Sequence, residues 1–190
     1  MKKYKRYQDY VIKDGKFIGE FEEMYNDFDD PWEQSKEALM PEKNIALSHI
    51  KGFKRKRSLE LGCGFGIFTN EINQVSENTA GYDISLSAIN EAKKRYPDID
   101  FQVSKFPDVT SIREYNPDCI IMSELSWYVL DELDSFKDFL KNELPNVLCV
   151  HLLTTYKKGV QKYGSEKFTN LDEIMKYFDM NYYEWGELSN

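Results

Sequence analysis

Ser58-Leu59-Glu60-Leu61-Gly62-Cys63-Gly64-Phe65-Gly66 decides the fold, together with Gly81-Tyr82-Asp83 further along the chain. A short apolar strand runs into closely spaced glycines, and Ile67 to Ile72 then has the composition of a helix. Glycine lets a backbone turn tightly and approach a ligand, and the helix behind it presents unpaired N–H groups. The second strand ends on Asp83, where a carboxylate can accept hydrogen bonds from both hydroxyls of a ribose. Together these elements predict a site for a nucleoside-containing cofactor.

Two details narrow the cofactor. Dinucleotide sites read G-x-G-x-x-G, with a pyrophosphate at the helix terminus. Here the glycines are spaced G-x-G-x-G, and Glu60 stands two residues ahead of the first. A carboxylate there repels a pyrophosphate and suits a cationic ammonium or sulfonium. A nicotinamide-binding domain and a glycine turn without a ligand are the competing readings. The run Glu60-Leu61-Gly62-Cys63-Gly64-Phe65-Gly66 resembles motif I of the class I S-adenosylmethionine (SAM) methyltransferases. That resemblance implies SAM as cofactor and S-adenosylhomocysteine as product. Glu60, Gly62, Cys63, Gly64 and Gly66 would then surround the methionine end, with Asp83 on the ribose and Ile84 beside it.

At 190 residues and 22.4 kDa the chain suits one domain with one sizeable core. No apolar run approaches the length of a membrane span, and the basic Met1-Lys2-Lys3-Tyr4-Lys5-Arg6 has no apolar stretch behind it to make a signal peptide. Cys63, Cys119 and Cys149 are odd in number and widely spaced, which reads as reduced cytoplasmic thiols. The net charge of −8 and the acidic run from Glu20 to Asp30 argue against nucleic acid as partner. The basic run Lys51 to Arg57 reads as a solvated helix end. A small-molecule acceptor and a monomer or homodimer are expected, with no metal, because the chain has only two histidines.

Strands are expected at Arg57–Leu61, Thr79–Asp83, Asp100–Val103, Asp118–Met122 and Asn146–Leu153, and a last one near Tyr182–Trp185. Helices are expected from Pro31 to about Ile50 with a break at Pro41, at Gly66–Val75, at Leu86–Lys94 capped by Ser85, at Leu133–Leu144 and at Leu171–Phe178. Leu86, Ile89 and Ala92 make an apolar stripe on the third of these. Residues 1 to about 30 read as irregular, with a turn at Asp14-Gly15, and as packed on the domain by their aromatic side chains. The alternation predicts an α/β, Rossmann-like sheet, mostly parallel with an antiparallel strand at the C-terminal edge and helices on both faces. The division expected is a cap segment and helix over residues 1–50 and a SAM-binding domain over 51–190.

The run from Pro117 to Leu130, with Met122-Ser123-Glu124-Leu125-Ser126-Trp127-Tyr128 at its heart, is similar to a segment of the nodulation-factor N-methyltransferases. Phe101-Gln102-Val103-Ser104-Lys105-Phe106-Pro107-Asp108 resembles their third-strand loop, and Asp29-Asp30-Pro31-Trp32 their entry segment. The likeness implies that Lys105 and Phe106 cradle the adenine and that Ser123, Glu124 and Leu125 also meet the cofactor. It ends after the fifth strand, so the family's amine-on-a-sugar acceptor does not carry over with it. Methyl transfer needs alignment and, for a protonated acceptor, a base. Strand-tip position nominates Glu124, Tyr128 and His151 as catalytic groups, and Trp32, Trp127, Tyr128, Thr154 and Tyr156 as acceptor contacts. No Asn/Asp-Pro-Pro-Tyr/Phe loop follows the fourth strand, which argues against adenine and amide acceptors. The function expected is methyl transfer to N or O of a small, carbohydrate-related metabolite. The alternatives are a SAM-binding sensor without turnover and, behind it, a protein methyltransferase.

Overall fold

The computed structural model describes residues 2–35, 40–155 and 163–179. A two-residue hairpin, β1 (Ile12–Lys13) and β2 (Lys16–Phe17), turns at Asp14-Gly15 with φ of 51° and 76°. That left-handed pair is what a tight hairpin demands. Helices α1 (Phe21–Asp27) and α2 (Pro41–Gly52) follow. Then strands and helices alternate: β3 (Arg57–Leu61), α3 (Ile67–Asn73), β4 (Asn78–Asp83), α4 (Leu86–Arg95), β5 (Asp100–Val103), α5 (Val109–Tyr115), β6 (Cys119–Ser123), α6 (Leu133–Glu143), β7 (Leu148–Leu152) and α7 (Leu171–Phe178). The described strands β3 to β7 form one parallel sheet in the order β5-β4-β3-β6-β7. The order reverses between β3 and β6, where an α/β sheet opens a crevice at its carboxyl edge.

Helices cover both faces, and residue alternation along the strands explains how. Leu59 and Leu61 of β3 join Ile120 and Met122 of β6 against Ile112, Leu133 and Phe136 of α5 and α6. Cys119 and Ile121 point the other way, onto Ala46 and Ile50 of α2 and Phe68 and Ile72 of α3. Residues 119 to 122 are therefore at most 1% exposed, the signature of a strand buried on both sides. The expected boundary at residue 50 falls inside α2, whose Ala46 and Ile50 belong to that second layer.

Gly66, with φ of 73°, allows this packing: a β-carbon there would lie 2.5 Å from Cζ of Phe101 and 3.2 Å from Cβ of Ala92. Gly66→Ala is expected to destabilise the domain by about 2–4 kcal/mol, combining left-handed strain with overpacking. Urea denaturation checks this; an unchanged midpoint would mean that Phe101 can step aside.

Several elements differ from the sequence reading. Pro31 begins a turn rather than a helix, because the Asp30 carboxylate takes the N–H groups of Gln34 (2.8 Å) and Ser35 (2.9 Å) and Glu33 sits at φ 55°. The helix starts instead at Pro41, where its missing N–H costs nothing. Residues 21–27, expected to be irregular, are helix α1, and α5 was not expected at all; Asp108 caps α5 through Ser111 N (3.1 Å). Ser85 caps α4 as expected, but Leu86 is 55% exposed and the buried stripe is Ala88, Ile89 and Ala92. The strand expected near Tyr182–Trp185 lies outside the described residues.

The first thirty residues do pack on the domain: Tyr10, Val11, Met24 and Tyr25 are buried against Phe65 and Ala88. Among the described residues no helix is long and apolar enough to cross a membrane.

Candidate functional site

A cavity of about 470 Å³ opens at the carboxyl ends of β3, β4 and β6. Of the residues expected to meet the cofactor, Gly62, Asp83, Ile84, Lys105 and Phe106 line it. So do Ser123, Glu124 and Leu125. Trp32, Tyr128 and Thr154 line it from the acceptor set. The sheet thus gathers in one hollow residues that lie far apart in sequence.

Asp83 is buried at the tip of β4. Its Oδ1 accepts the N–H of Ser85 and its Oδ2 the N–H of Gly64, each at 2.9 Å. Burial raises its pKa against the opposing pull of these backbone donors. A carboxylate oriented in this way retains acceptor capacity for ribose hydroxyls, and its place in the cavity wall fits a nucleoside. Gly62 brings the loop close: at φ 76°, a β-carbon would approach Leu125 Cδ1 to 3.0 Å. Ile84 and Phe106 offer apolar walls of the kind a purine needs, and Phe106 is braced edge-on by Phe136 at 4.7 Å. These residues fit SAM.

The remainder of the glycine motif does other work. The space above Gly64 is filled by the cap, since a β-carbon there would meet Gln34 Oε1 at 2.7 Å and the Tyr25 hydroxyl at 2.8 Å. Gln34 Oε1 also accepts the N–H of Phe65 at 3.2 Å. Cys63 is buried against Ile89 and Phe101, and burial pushes its thiol well above the ordinary range. Neither Cys63, Gly64 nor Gly66 is among the cavity walls.

Glu60 corrects the electrostatic expectation. Strand alternation turns Leu59 and Leu61 to one face and Glu60 to the other, where it accepts a hydrogen bond from Thr69 Oγ1 of α3. It is 2% exposed and is not a cavity wall, and burial pushes its pKa up to about 8. Acid charge reaches the cavity from other residues. Glu42, Asp83, Asp108, Glu124 and Glu132 line it, against Lys43 and Lys105.

His151 is also displaced from its expected role. Its Nε2 lies 2.5 Å from Ser126 Oγ, its ring stands edge-on to Phe178 at 4.6 Å, and it does not line the cavity. Desolvation lowers its pKa to about 4, which leaves a neutral, half-buried ring outside the cavity. Trp127 likewise stands behind the wall, donating Nε1 to the Thr154 carbonyl at 3.0 Å and packing on Phe168. Tyr156 lies outside the described residues.

Glu124 and Tyr128 remain in the cavity. Glu124, at φ 55°, accepts the N–H and the Oγ1–H of Thr154 with Oε1, at 2.8 and 2.9 Å. Partial desolvation at the cavity wall raises its pKa and the Thr154 bonds oppose the rise, although the residue as a whole is exposed. Tyr128 is packed between Phe21 (5.5 Å, edge-on) and Trp32 (5.8 Å). Phe21, Gln34 and Lys43 escaped the sequence reading. Only the docking of α1, the Asp30 turn and α2 brings them to the cavity, and no local pattern announces that.

The sequence matches the family described as "Methyltransferase domain" over residues 32–184. The chain belongs to this family and is a SAM-dependent methyltransferase domain. No curated protein is significantly similar to it. Among solved structures, the bifunctional kinase-methyltransferase WbdD superposes with a TM-score of 0.51 at 22% identity, over 70% of this chain and 31% of its own. The sugar N-methyltransferase KedS8 from Streptoalloteichus sp ATCC 53650 gives 0.50 at 9%, over 67% and 53%. The N-methyltransferase NodS from Bradyrhizobium japonicum WM9, solved with S-adenosyl-L-homocysteine, gives 0.43 at 18%, over 67% and 63%. The first two show a shared fold, and the third assigns no subfamily. The chain spans 31% to 63% of the lengths of these proteins.

Proposed function

We propose that this domain transfers the methyl group of SAM to a nitrogen or oxygen of a small, carbohydrate-related acceptor. On this reading it works in the cytoplasm as a monomer or homodimer, with neither nucleic acid nor membrane as partner. The observation that carries the proposal is the shared cavity, in which Asp83 sits with Glu124, Thr154, Tyr128 and Trp32. Asp83 holds the ribose, Ile84 and Phe106 flank the adenine, and Gly62, Ser123 and Leu125 shape the wall nearest the methionine end. SAM, when bound, supplies an already activated methyl group, so the protein's tasks are alignment and proton removal.

Glu124 is suited to the second task. Thr154 engages Oε1 alone, so Oε2 has no protein hydrogen bond among the described residues. A carboxyl group with a raised pKa is a stronger base once ionised. Trp32, Phe21 and Tyr128 give the acceptor aromatic faces to stack on. Five carboxylates facing two ammonium groups in the wall favour a neutral or amine-bearing acceptor over a phosphorylated one.

Labelled SAM offered with amino sugars, neutral sugars and sugar phosphates tests the reading, with transfer expected to the first group. Transfer only to phosphates would overturn the acceptor class. Binding of SAM without S-adenosylhomocysteine from any pool would identify a sensor. Glu124→Gln is expected to lower kcat by about 10²- to 10⁴-fold, with a much smaller effect on SAM binding. Undiminished turnover would leave Glu124 only a role in shaping the loop.

A further inference from the structure

The acidic run that distinguishes the N-terminal segment places one carboxylate on the body of the domain. Glu22, on α1, meets the first turn of α4. Its Oε2 accepts the Ser85 hydroxyl at 2.6 Å and the Ser87 N–H at 3.1 Å, and its Oε1 accepts the Ser87 hydroxyl at 2.6 Å. Ser85, fully buried, is thereby held from three sides: its Oγ donates to Glu22 and accepts the Ala88 N–H at 3.1 Å, and its own N–H donates to Asp83 Oδ1 at 2.9 Å. A carboxylate at the positive end of a helix, with charge-assisted hydrogen bonds, is a firm anchor. Burial raises the Glu22 pKa, but the bonds from Ser85 and Ser87 together outweigh it and hold the group below its ordinary value.

We propose that Glu22 is a positioning residue for the cofactor site: it fixes Ser85, whose backbone N–H orients Asp83, and so couples the docking of α1 to the grip on the ribose. Glu22 is not a cavity wall and acts only through this relay. The proposal rests on the reading of Asp83 as the ribose-binding group. The N-terminal segment is then part of the cofactor site rather than a cover laid over it. The same helix carries Phe21 into the cavity and Tyr25 onto Gly64, so one docking event sets both ends of the crevice.

Calorimetry with S-adenosylhomocysteine, on variants shown to be folded by circular dichroism, tests the relay. Glu22→Ala is expected to raise Kd about tenfold, within the range seen when an outer-shell partner is lost. Glu22→Gln keeps an acceptor oxygen for Ser85 and should recover most of the affinity. A residue that merely stabilised α1 would lower Tm and leave Kd unmoved. Ser87→Ala removes one of the bonds to the carboxylate and should weaken binding in the same direction by less; it carries the test if Glu22→Ala does not fold. A Kd for Glu22→Ala within twofold of wild type, alongside lost binding in Asp83→Ala, would overturn the proposal. Wild-type binding by both variants would overturn the ribose reading itself, and the relay with it.

Discussion

Replacing Asp83 by alanine is expected to weaken S-adenosylhomocysteine binding by about 2–3 kcal/mol, roughly 30- to 150-fold. The loss has two parts. The ribose hydroxyls lose their acceptor, and the N–H groups of Gly64 and Ser85, both now satisfied by the carboxylate at 2.9 Å, lose theirs as well. The second part disturbs the glycine loop and the start of α4, so Asp83→Asn should fall between the variant and the wild type. Titration calorimetry reads the effect directly, and an unchanged Kd would remove Asp83 from the cofactor site.

Glu60→Gln should change the pH dependence of stability. The native carboxyl titrates at about 8 and its ordinary value is 4.5, chiefly because burial disfavours the ion. Between those values the unfolded chain has released its proton and the native chain has kept it. Stability from this group is therefore full below pH 4.5, falls as pH rises, and levels above about pH 8. One pH unit corresponds to about 1.36 kcal/mol, so the loss between pH 5 and pH 8 is about 2–4 kcal/mol. The neighbouring charges, Lys43 and Asp83, act in opposite directions on Glu60 and are the same in both proteins. Glutamine keeps an acceptor for Thr69 and cannot ionise. The variant should melt near the wild type at pH 5 and well above it at pH 8; parallel melting temperatures across that range would show that Glu60 is not held protonated.

The sheet was legible because its signals are local. Arg57–Leu61 and Asp100–Val103 are bounded as their composition predicts, and Ser85 caps α4 because a short hydroxyl side chain before an apolar stripe has one good use. Glu60 was misplaced for a reason equally physical. Spacing puts it near the strand tip, but the two-residue alternation of β3 decides which face it enters, and that face belongs to α3. His151 had the right position in β7, but its ring turns to Phe178 and Ser126 rather than to the cavity. The cavity walls supplied by Phe21, Gln34 and Lys43 were invisible because they depend on how segments outside the sheet dock onto it, and docking leaves no periodic trace.

The contacts of the first thirty residues also bear on biosynthesis. Tyr10, Met24 and Tyr25 find further partners in Phe65 and Ala88; the ribosome adds Phe65 after α2 and β3, and Ala88 only after α3 and β4 as well. Emerging earlier, these side chains have one another and the neighbouring Tyr4, Tyr7 and Phe28 to pack on, and complete their burial only once Phe65 and Ala88 have emerged. A translation pause between Phe28 and Phe65 would therefore prolong the interval in which these side chains are only partly covered.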